Sequence, residues 1–450
     1  MDVLEKALRM LEKRYLCDHC LGRQFAMLGH GMENTERGQS TKTILLFNAQ
    51  TLATSNDREG IRILKLLATH GFSQTARQVL HKAKKRIPRK DIQKKCFLCE
   101  DKFRNKKTLT EKTVELLKNY EYNNFLVGVE LPVNVAERED EFKAEFDVTH
   151  GENMRNEFGR LIGKVVAEQT GKEVEFRKPD IVVLVNPFAG QVWLQVNPLF
   201  VAGRYRKLVR DIPQSKWFCG KCRGRGCKAC NWTGKLYPES VEEIVEKPFL
   251  DATEGQKGSF HASGREDIDA RMLGNGRPFV VEITKPKKRF LNLKELQMAV
   301  NVLGKSKVEV SNLAFADRDE IRTLKKGEHK QKEYLVTIEF ENEIAAKDMR
   351  LVEEKLSNSQ ISQKTPTRVM HRRADLTREK YIYDVKVKKL SPHRAEMKIR
   401  CAGGLYVKEL VSGDEGRTTP SVTEILNNKA KPMKLDVLNV IMGDQDEVEK

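Results

Sequence analysis

The sequence has no run approaching the roughly 20 consecutive apolar residues that a membrane-spanning helix needs, and hydrophobic residues make up only 39% of its 450. A helical membrane anchor is thereby excluded, and no membrane partner is expected. An export signal is missing as well: Met1-Asp2-Val3-Leu4-Glu5-Lys6 holds no basic stretch leading into an apolar one. A reducing, cytoplasmic compartment is therefore expected. Internal repeats and low-complexity tracts are absent, so the chain reads as about three ordinary globular domains at roughly 150 residues each. At 450 residues the chain is ample for a large core and is no small disulfide-stapled scaffold. Acids are also in short supply, 64 against 82 Lys and Arg, a formal charge of +18 that favours an anionic polymer as partner over a neutral metabolite.

The cysteines that are present are ordered. Cys17/Cys20, Cys96/Cys99, Cys219/Cys222 and Cys227/Cys230 form four C-x-x-C pairs, and only Cys401 stands alone. A two-residue gap lets both sulfurs of a knuckle reach one metal ion, and a tetrahedral Zn2+ takes two such knuckles. Two zinc sites follow. One lies within Cys219 to Cys230, where glycines permit tight turns; the other joins Cys17 and Cys20 to Cys96 and Cys99. Four cysteines each leave no open position for substrate, so both are expected to be structural.

Residues 1 to 15 carry Leu4, Leu8, Leu11 and Tyr15 at helical spacing, and the stretch between the first two knuckles is mostly helical in pattern. Within it, Lys82 to Lys95 is strongly basic. A strand at Phe125 to Leu131 precedes a helix with Met154, Phe158, Ile162 and Val166 on one face, and then the apolar runs Ile181 to Val185 and Val192 to Val196. Val201 to Lys235 interleaves ten Lys or Arg with Tyr205, Trp217 and Trp232 against one acid, Asp211, a composition suited to nucleic acid. Charged Pro238 to Leu250 shows no clear core pattern, and the main boundary is placed there. Beyond it, strand-like runs at Phe279 to Ile283, Val308 to Phe315, Tyr334 to Phe340, Tyr381 to Leu390 and Met397 to Cys401 alternate with helical patterns at Leu293 to Leu303 and Ile344 to Leu356. The reading is an α+β chain with a large, mainly antiparallel sheet in its second half. Its expected segments are 1–109 (zinc-binding, helical), 110–245 (α/β, with the second knuckle) and 246–450 (the chemistry).

Ala262 to Phe279 alternates acids and arginines between glycine turns, Arg265-Glu266-Asp267-Ile268-Asp269 at its centre. Glycines there allow close approach of a bulky ligand, and a carboxylate oriented by a cation can act as a nucleophile. Gly403-Gly404-Leu405-Tyr406-Val407-Lys408 could deliver one lysine to such an acid.

These two segments resemble the motifs of pseudouridine synthases, Arg265-Glu266-Asp267 the one with the catalytic aspartate and Gly404 to Lys408 the one whose basic residue pairs with it. The likeness is closer still to the archaeal and eukaryotic tRNA pseudouridine synthases of the Pus-ten type, which join a zinc and THUMP half to a C-terminal catalytic half. Lys364 to Leu376, Gly404 to Pro420, Cys17/Cys20 and Gly203 to Arg210 share in it, and the knuckle at Cys219 looks like the archaeal branch. The resemblance implies Asp267 as catalyst, held ionised by Lys408; Tyr334 stacking on the target base; Arg265 guiding a flipped nucleotide; and Val407 and Leu435 lining the pocket. Asp269 is taken to point away from Asp267 along an extended segment, and Tyr381 is the rival of Tyr334. Arg204, Tyr205, Arg206, Lys207, Arg210, Arg372 and Arg373 are expected to contact RNA. The implied reaction converts uridine to pseudouridine at position 54, 55 or both of the TΨC arm of tRNA, in a monomer with no organic cofactor. A non-catalytic zinc-containing RNA-binding adaptor is the alternative, with a zinc-knuckle cochaperone a more distant third.

Overall fold

The computed structural model describes residues 2–54, 57–87, 94–325 and 331–441. The chain forms two compact units, Met1–Asn197 and Pro198–Lys450. Among the described residues no helix is long and apolar enough to cross a membrane.

The first unit begins with helices. Val3–Lys13 starts behind Asp2, carries Glu5 in its first turn and Lys13 in its last, and buries Ala7, Met10 and Leu11. Charges of the right sign at each end and apolar residues three and four apart give it both a start and an inner face. Helices Asp18–Gly22, Asn34–Thr54, Arg58–Thr69, Gln74–Lys82 and Lys106–Leu117 follow. The chain then turns to α/β structure, with strands β1 (Asn124–Val129), β2 (Glu173–Val174), β3 (Ile181–Asn186) and β4 (Gln191–Val196) ordered β2-β1-β3-β4. Helix Met154–Thr170 ends at Gly171 in the left-handed region, φ 66°, a conformation glycine adopts without penalty. One apolar cluster joins the helices to this sheet. Residues 88–93 of the basic stretch Lys82 to Lys95 lie outside the described residues.

The second unit is built on one sheet: β5 (Leu199–Lys207), β6 (Lys257–Ala262), β7 (Arg271–Thr284), β8 (Val308–Ala316), β9 (Gln331–Phe340), β10 (Ser359–Lys364), β11 (Thr377–Ser391), β12 (Arg394–Ala402), β13 (Thr418–Thr419) and β14 (Ala430–Ile441). The strand order is β13-β10-β11-β12-β9-β14-β7-β5-β8, with β6 also on β7. Every described pair in it is antiparallel except β14 with β7. That parallel junction is where the Ala262 to Phe279 segment meets the end of the chain.

Two boundaries differ from the sequence reading. β5 pairs with β7 and β8, so residues 198–245, assigned above to the segment 110–245, lie in the second unit together with the second knuckle. Pro238 to Leu250 is no linker either. Ser240 caps a helix, Val241–Thr253, by accepting from the Glu243 amide, and Val241, Ile244, Val245 and Phe249 are buried. Its glutamates and internal Pro248 mask an ordinary helical spacing.

Candidate active site

A cavity of about 720 Å³ opens in the second unit. The loop before β7 supplies Arg265 and Asp267, β9 supplies Tyr334, and β14 supplies Leu435 and Val437. Leu405, Tyr406, Val407 and Lys408 enter at the start of helix Val407–Ser412, and Arg368, Val369 and Arg373 from the segment after β10. The structure thus brings Asp267, Arg265, Tyr334, Val407, Lys408 and Leu435 to one cavity. Tyr381, on β11, is not among its lining residues.

Asp267 Oδ2 faces two cations, Arg368 at 3.2 Å and Lys408 Nζ at 3.3 Å. Lys408 also donates to both oxygens of Asp269, at 2.8 and 2.7 Å. The expected opposite orientation of Asp269 is therefore overturned. The segment is a turn closed by the Ala270 amide on the Asp267 carbonyl at 3.0 Å, which folds both carboxylates toward one lysine. Burial raises the Asp269 carboxyl, but the hydrogen bond and charge of Lys408 outweigh it and hold the group below its ordinary value. Asp269 does not line the cavity.

Sequence reasoning missed Arg368. Its Nε donates to Glu409 at 2.7 Å, so a residue next to Lys408 aims the guanidinium that meets Asp267. The Lys364 to Leu376 likeness pointed at this segment, but nothing in one sequence singles out Arg368 from the basic residues around it. Tyr334 is buried, and burial first of all pushes its phenol well above the ordinary value, so the ring stays neutral.

Four of the residues expected to touch RNA do other work, wholly or in part. Tyr205 and Lys207 are fully buried. Alternation along β5 turns them inward, beneath the loop that carries Asp267. The Tyr205 hydroxyl donates to Glu266 at 2.9 Å, Arg277 Nε reaches the same carboxylate at 2.9 Å, and Lys207 Nζ donates to the Asp267 and Ile268 carbonyls at 3.2 and 3.1 Å. Arg210 donates to the Asp269 carbonyl at 2.9 Å, the Leu435 carbonyl at 2.8 Å and Asp436 at 2.6 Å, tying two cavity walls together. Arg204 is half-buried and donates to the Gly276 carbonyl. Arg206 is exposed and pairs with Glu309. Arg373 is exposed at the cavity and donates to the Tyr406 hydroxyl at 3.1 Å; the Arg372 side chain lies outside the described residues. Nor do Gly274 and Gly276 admit a ligand. A Cβ there would lie 2.0 Å from the Leu438 carbonyl oxygen and 2.7 Å from that of Tyr205, so they admit neighbouring strands.

Cys17, Cys20, Cys96 and Cys99 gather their sulfurs within 4.8 Å of one another, and so do Cys219, Cys222, Cys227 and Cys230. Each set could hold one metal ion. Backbone amides of Gly226, Cys227 and Gly234 approach the second set's sulfurs at 3.2 Å. The first set lies in the first unit and the second set in the second.

The family model described as "Pus10, C-terminal" matches residues 200–441, and "Pus10 THUMP domain, archaeal" matches residues 109–186. The tRNA pseudouridine synthase Pus10 of Methanocaldococcus jannaschii is 44% identical over 443 residues, covering 96% of this chain and 93% of that protein. That of Pyrococcus furiosus is 38% identical, covering 98% of both chains. Similarity to solved structures is low: a Cbf5-Nop10-Gar1 complex matches 54% of this chain and 50% of that chain at 13% identity and TM-score 0.30. With relatives of this identity and coverage, both of them tRNA pseudouridine synthases, the chain is of the pseudouridine synthase class. The chain belongs to the Pus10 family.

Proposed function

We propose that the protein isomerises uridine to pseudouridine in the TΨC arm of tRNA, at position 54, 55 or both. The observation that carries this reading is the meeting of Asp267, Tyr334 and Lys408, contributed by three distant stretches, in one cavity. Its volume lies in the range of small-ligand pockets, roughly 300–1,000 Å³, so a single nucleotide enters and a helix does not. The target uridine must leave its stack, at a cost of a few kcal/mol, and the neutral Tyr334 ring offers replacement stacking.

The reaction breaks the C1′–N1 bond, turns the uracil and joins C1′ to C5. The proton lost from C5 balances the one gained at N1. Asp267 either attacks C1′ as the base departs, the new C1′–O bond breaking when C5 joins C1′, or removes the C2′ proton and returns it once C5 has joined C1′; both routes use the free carboxylate oxygen, with Lys408 and Arg368 as counter-charges on the other. Arg265, exposed at the mouth and 5.9 Å from the Trp217 ring, is placed to guide the flipped nucleotide, and Arg373 to meet a phosphate. Val407 and Leu435 supply apolar wall.

Both cysteine sets are read as structural zinc sites. A Zn–S length of about 2.3 Å in a tetrahedron gives sulfur–sulfur edges of about 3.8 Å, against 3.6 Å for Cys17–Cys99 and 3.8 Å for Cys222–Cys230. The protein is read as a monomer acting in the cytoplasm.

The test is unmodified tRNA incubated with the protein and mapped for pseudouridine by base-specific labelling. Wild type is expected to yield product at 54, 55 or both, and Asp267→Asn to bind tRNA yet yield none. A fully active Asp267→Asn chain would leave the non-catalytic adaptor as the better reading.

A further inference from the structure

The second cysteine set organises a short ribbon, residues 216–237, that borders the cavity. Gln214 and Ser215, immediately before it, line the cavity, and Trp217 at its base lies 5.9 Å from the guanidinium of the cavity residue Arg265. The ribbon is fastened at both ends: the Lys216 amide donates to Glu242 at 2.9 Å, Lys235 pairs with Glu243, and the Leu236 amide donates to the Trp217 carbonyl at 2.9 Å. These bonds therefore hold the ribbon beside the loop that carries Arg265.

On the ribbon stands Trp232, 71% exposed. Its backbone is in the left-handed region, φ 61°, a conformation glycine or asparagine takes far more readily than a bulky residue. A position that disfavours tryptophan and leaves most of it in water gains little for folding from the side chain. Between Lys216 and Lys235 there is no acid, while Lys221, Arg223, Arg225 and Lys228 are all exposed. The other exposed ring, Phe218, already has Lys216 Nζ 5.3 Å above it.

We propose that the ribbon is an RNA-contacting arm of the active site, in which Trp232 stacks on an unpaired base of the tRNA next to the extruded uridine while Lys221, Arg223, Arg225 and Lys228 hold the flanking phosphates. The charge selects the partner class: a hydrophobic protein surface would be met by an exposed ring but not by four cations without an acid. Stacking on an aromatic tolerates any base, so the arm adds grip and leaves the choice of uridine to the cavity. The inference rests on the tRNA isomerase reading above.

The experiment measures binding of an unmodified tRNA transcript to the full-length chain, with kcat and KM for pseudouridine formation alongside. Trp232→Ala is expected to weaken binding about tenfold, to raise KM by a similar factor and to leave kcat within about threefold, while melting temperature and metal content match wild type. Trp232→Phe should restore most of the affinity, because a phenyl ring also stacks. Wild-type affinity in Trp232→Ala, or equal weakening in Trp232→Phe, would overturn the arm. If Trp232→Ala loses its metal, the double variant Lys221→Glu, Lys228→Glu decides, since neither side chain touches a cysteine: unchanged affinity there overturns the proposal, and weakening beyond tenfold supports it. Absence of pseudouridine from the wild-type reaction, with tRNA still bound, would instead defeat the isomerase reading.

Discussion

Asp267 and Asp269 are two residues apart and share a lysine, yet their surroundings differ enough to separate their roles. Asp267 lines the cavity and holds one oxygen against two cations; Asp269 lies outside the lining and takes the closer contacts to Lys408. On the proposed mechanism, Asp269 thus fixes the lysine that Asp267 uses. Asp269→Asn should cost no more than about tenfold in kcat, whereas Asp267→Asn should leave no product, as measured by single-turnover assays on the same transcript; equal losses in both would remove the distinction. Arg368 is a positioning residue by the same geometry, steered by Glu409 onto Asp267. Removing one such preorganised donor from a reacting group typically costs about 10²-fold in kcat, and that is the expectation for Arg368→Gln, with KM shifted only a few-fold. A change confined to KM would mean that Arg368 grips the substrate and does not orient the aspartate.

Elements were legible where periodicity was strong. Met154, Phe158, Ile162 and Val166 mark a helix, and alternation in Tyr334 to Phe340 marks β9, because one buried face is enough to fix both. The misread element was Val241–Thr253, whose apolar spacing is ordinary but is interrupted by charged residues and Pro248. At the site, Arg265, Asp267, Tyr334, Val407, Lys408 and Leu435 are residues that the family motifs mark for the pocket, whereas Arg368 beside them and the residues beneath the cavity are not. Tyr205, Lys207 and Arg210 sit in a basic, aromatic run that looks alike whether it faces RNA or turns inward, and only the pairing of β5 decides. Helix Val241–Thr253 also makes a pH prediction. Burial, and next the charge of Glu242, push the Glu246 carboxyl up to about 7, and its buried Oε1 has no hydrogen-bond partner. The folded chain holds this proton more tightly than the unfolded chain, whose ordinary value is 4.5. The stabilising contribution is complete below about pH 4.5 and is lost as pH rises through 7. Glu246→Gln should therefore leave stability nearly unchanged at pH 4.5 and raise it at pH 8 by about 1 kcal/mol or less, because the group is partly exposed, as read by thermal melting at both pH values. An equal shift at both pH values would show that the carboxyl does not titrate in this range.

Over the whole molecule, the two units depend on their cysteine sets in different ways. In the first, a metal held by the set would join residues 17–20 to residues 96–99, and Cys20, Cys96 and Cys99 are buried in the core that packs the helices. In the second, the cysteines hold only the ribbon, while the large sheet is closed by its own apolar cluster, which contains none of them. Because ligands of such sites are scattered in the unfolded chain, metal binding is folding free energy, about 10–16 kcal/mol in zinc-finger peptides. Losing the first metal should therefore unfold a domain, and losing the second should release a ribbon. Elemental analysis is expected to find two zinc ions in the wild-type chain and one in either Cys17→Ser, Cys20→Ser or Cys219→Ser, Cys222→Ser. Thermal melting should lose its first-unit transition only in the former. In the latter the sheet should still melt cooperatively, and Trp217, freed with the ribbon, should change its fluorescence. Two ions retained in either variant, or none in wild type, would overturn the assignment of the cysteine sets. A ribbon variant whose sheet no longer melts cooperatively would show that the second metal supports the catalytic unit itself.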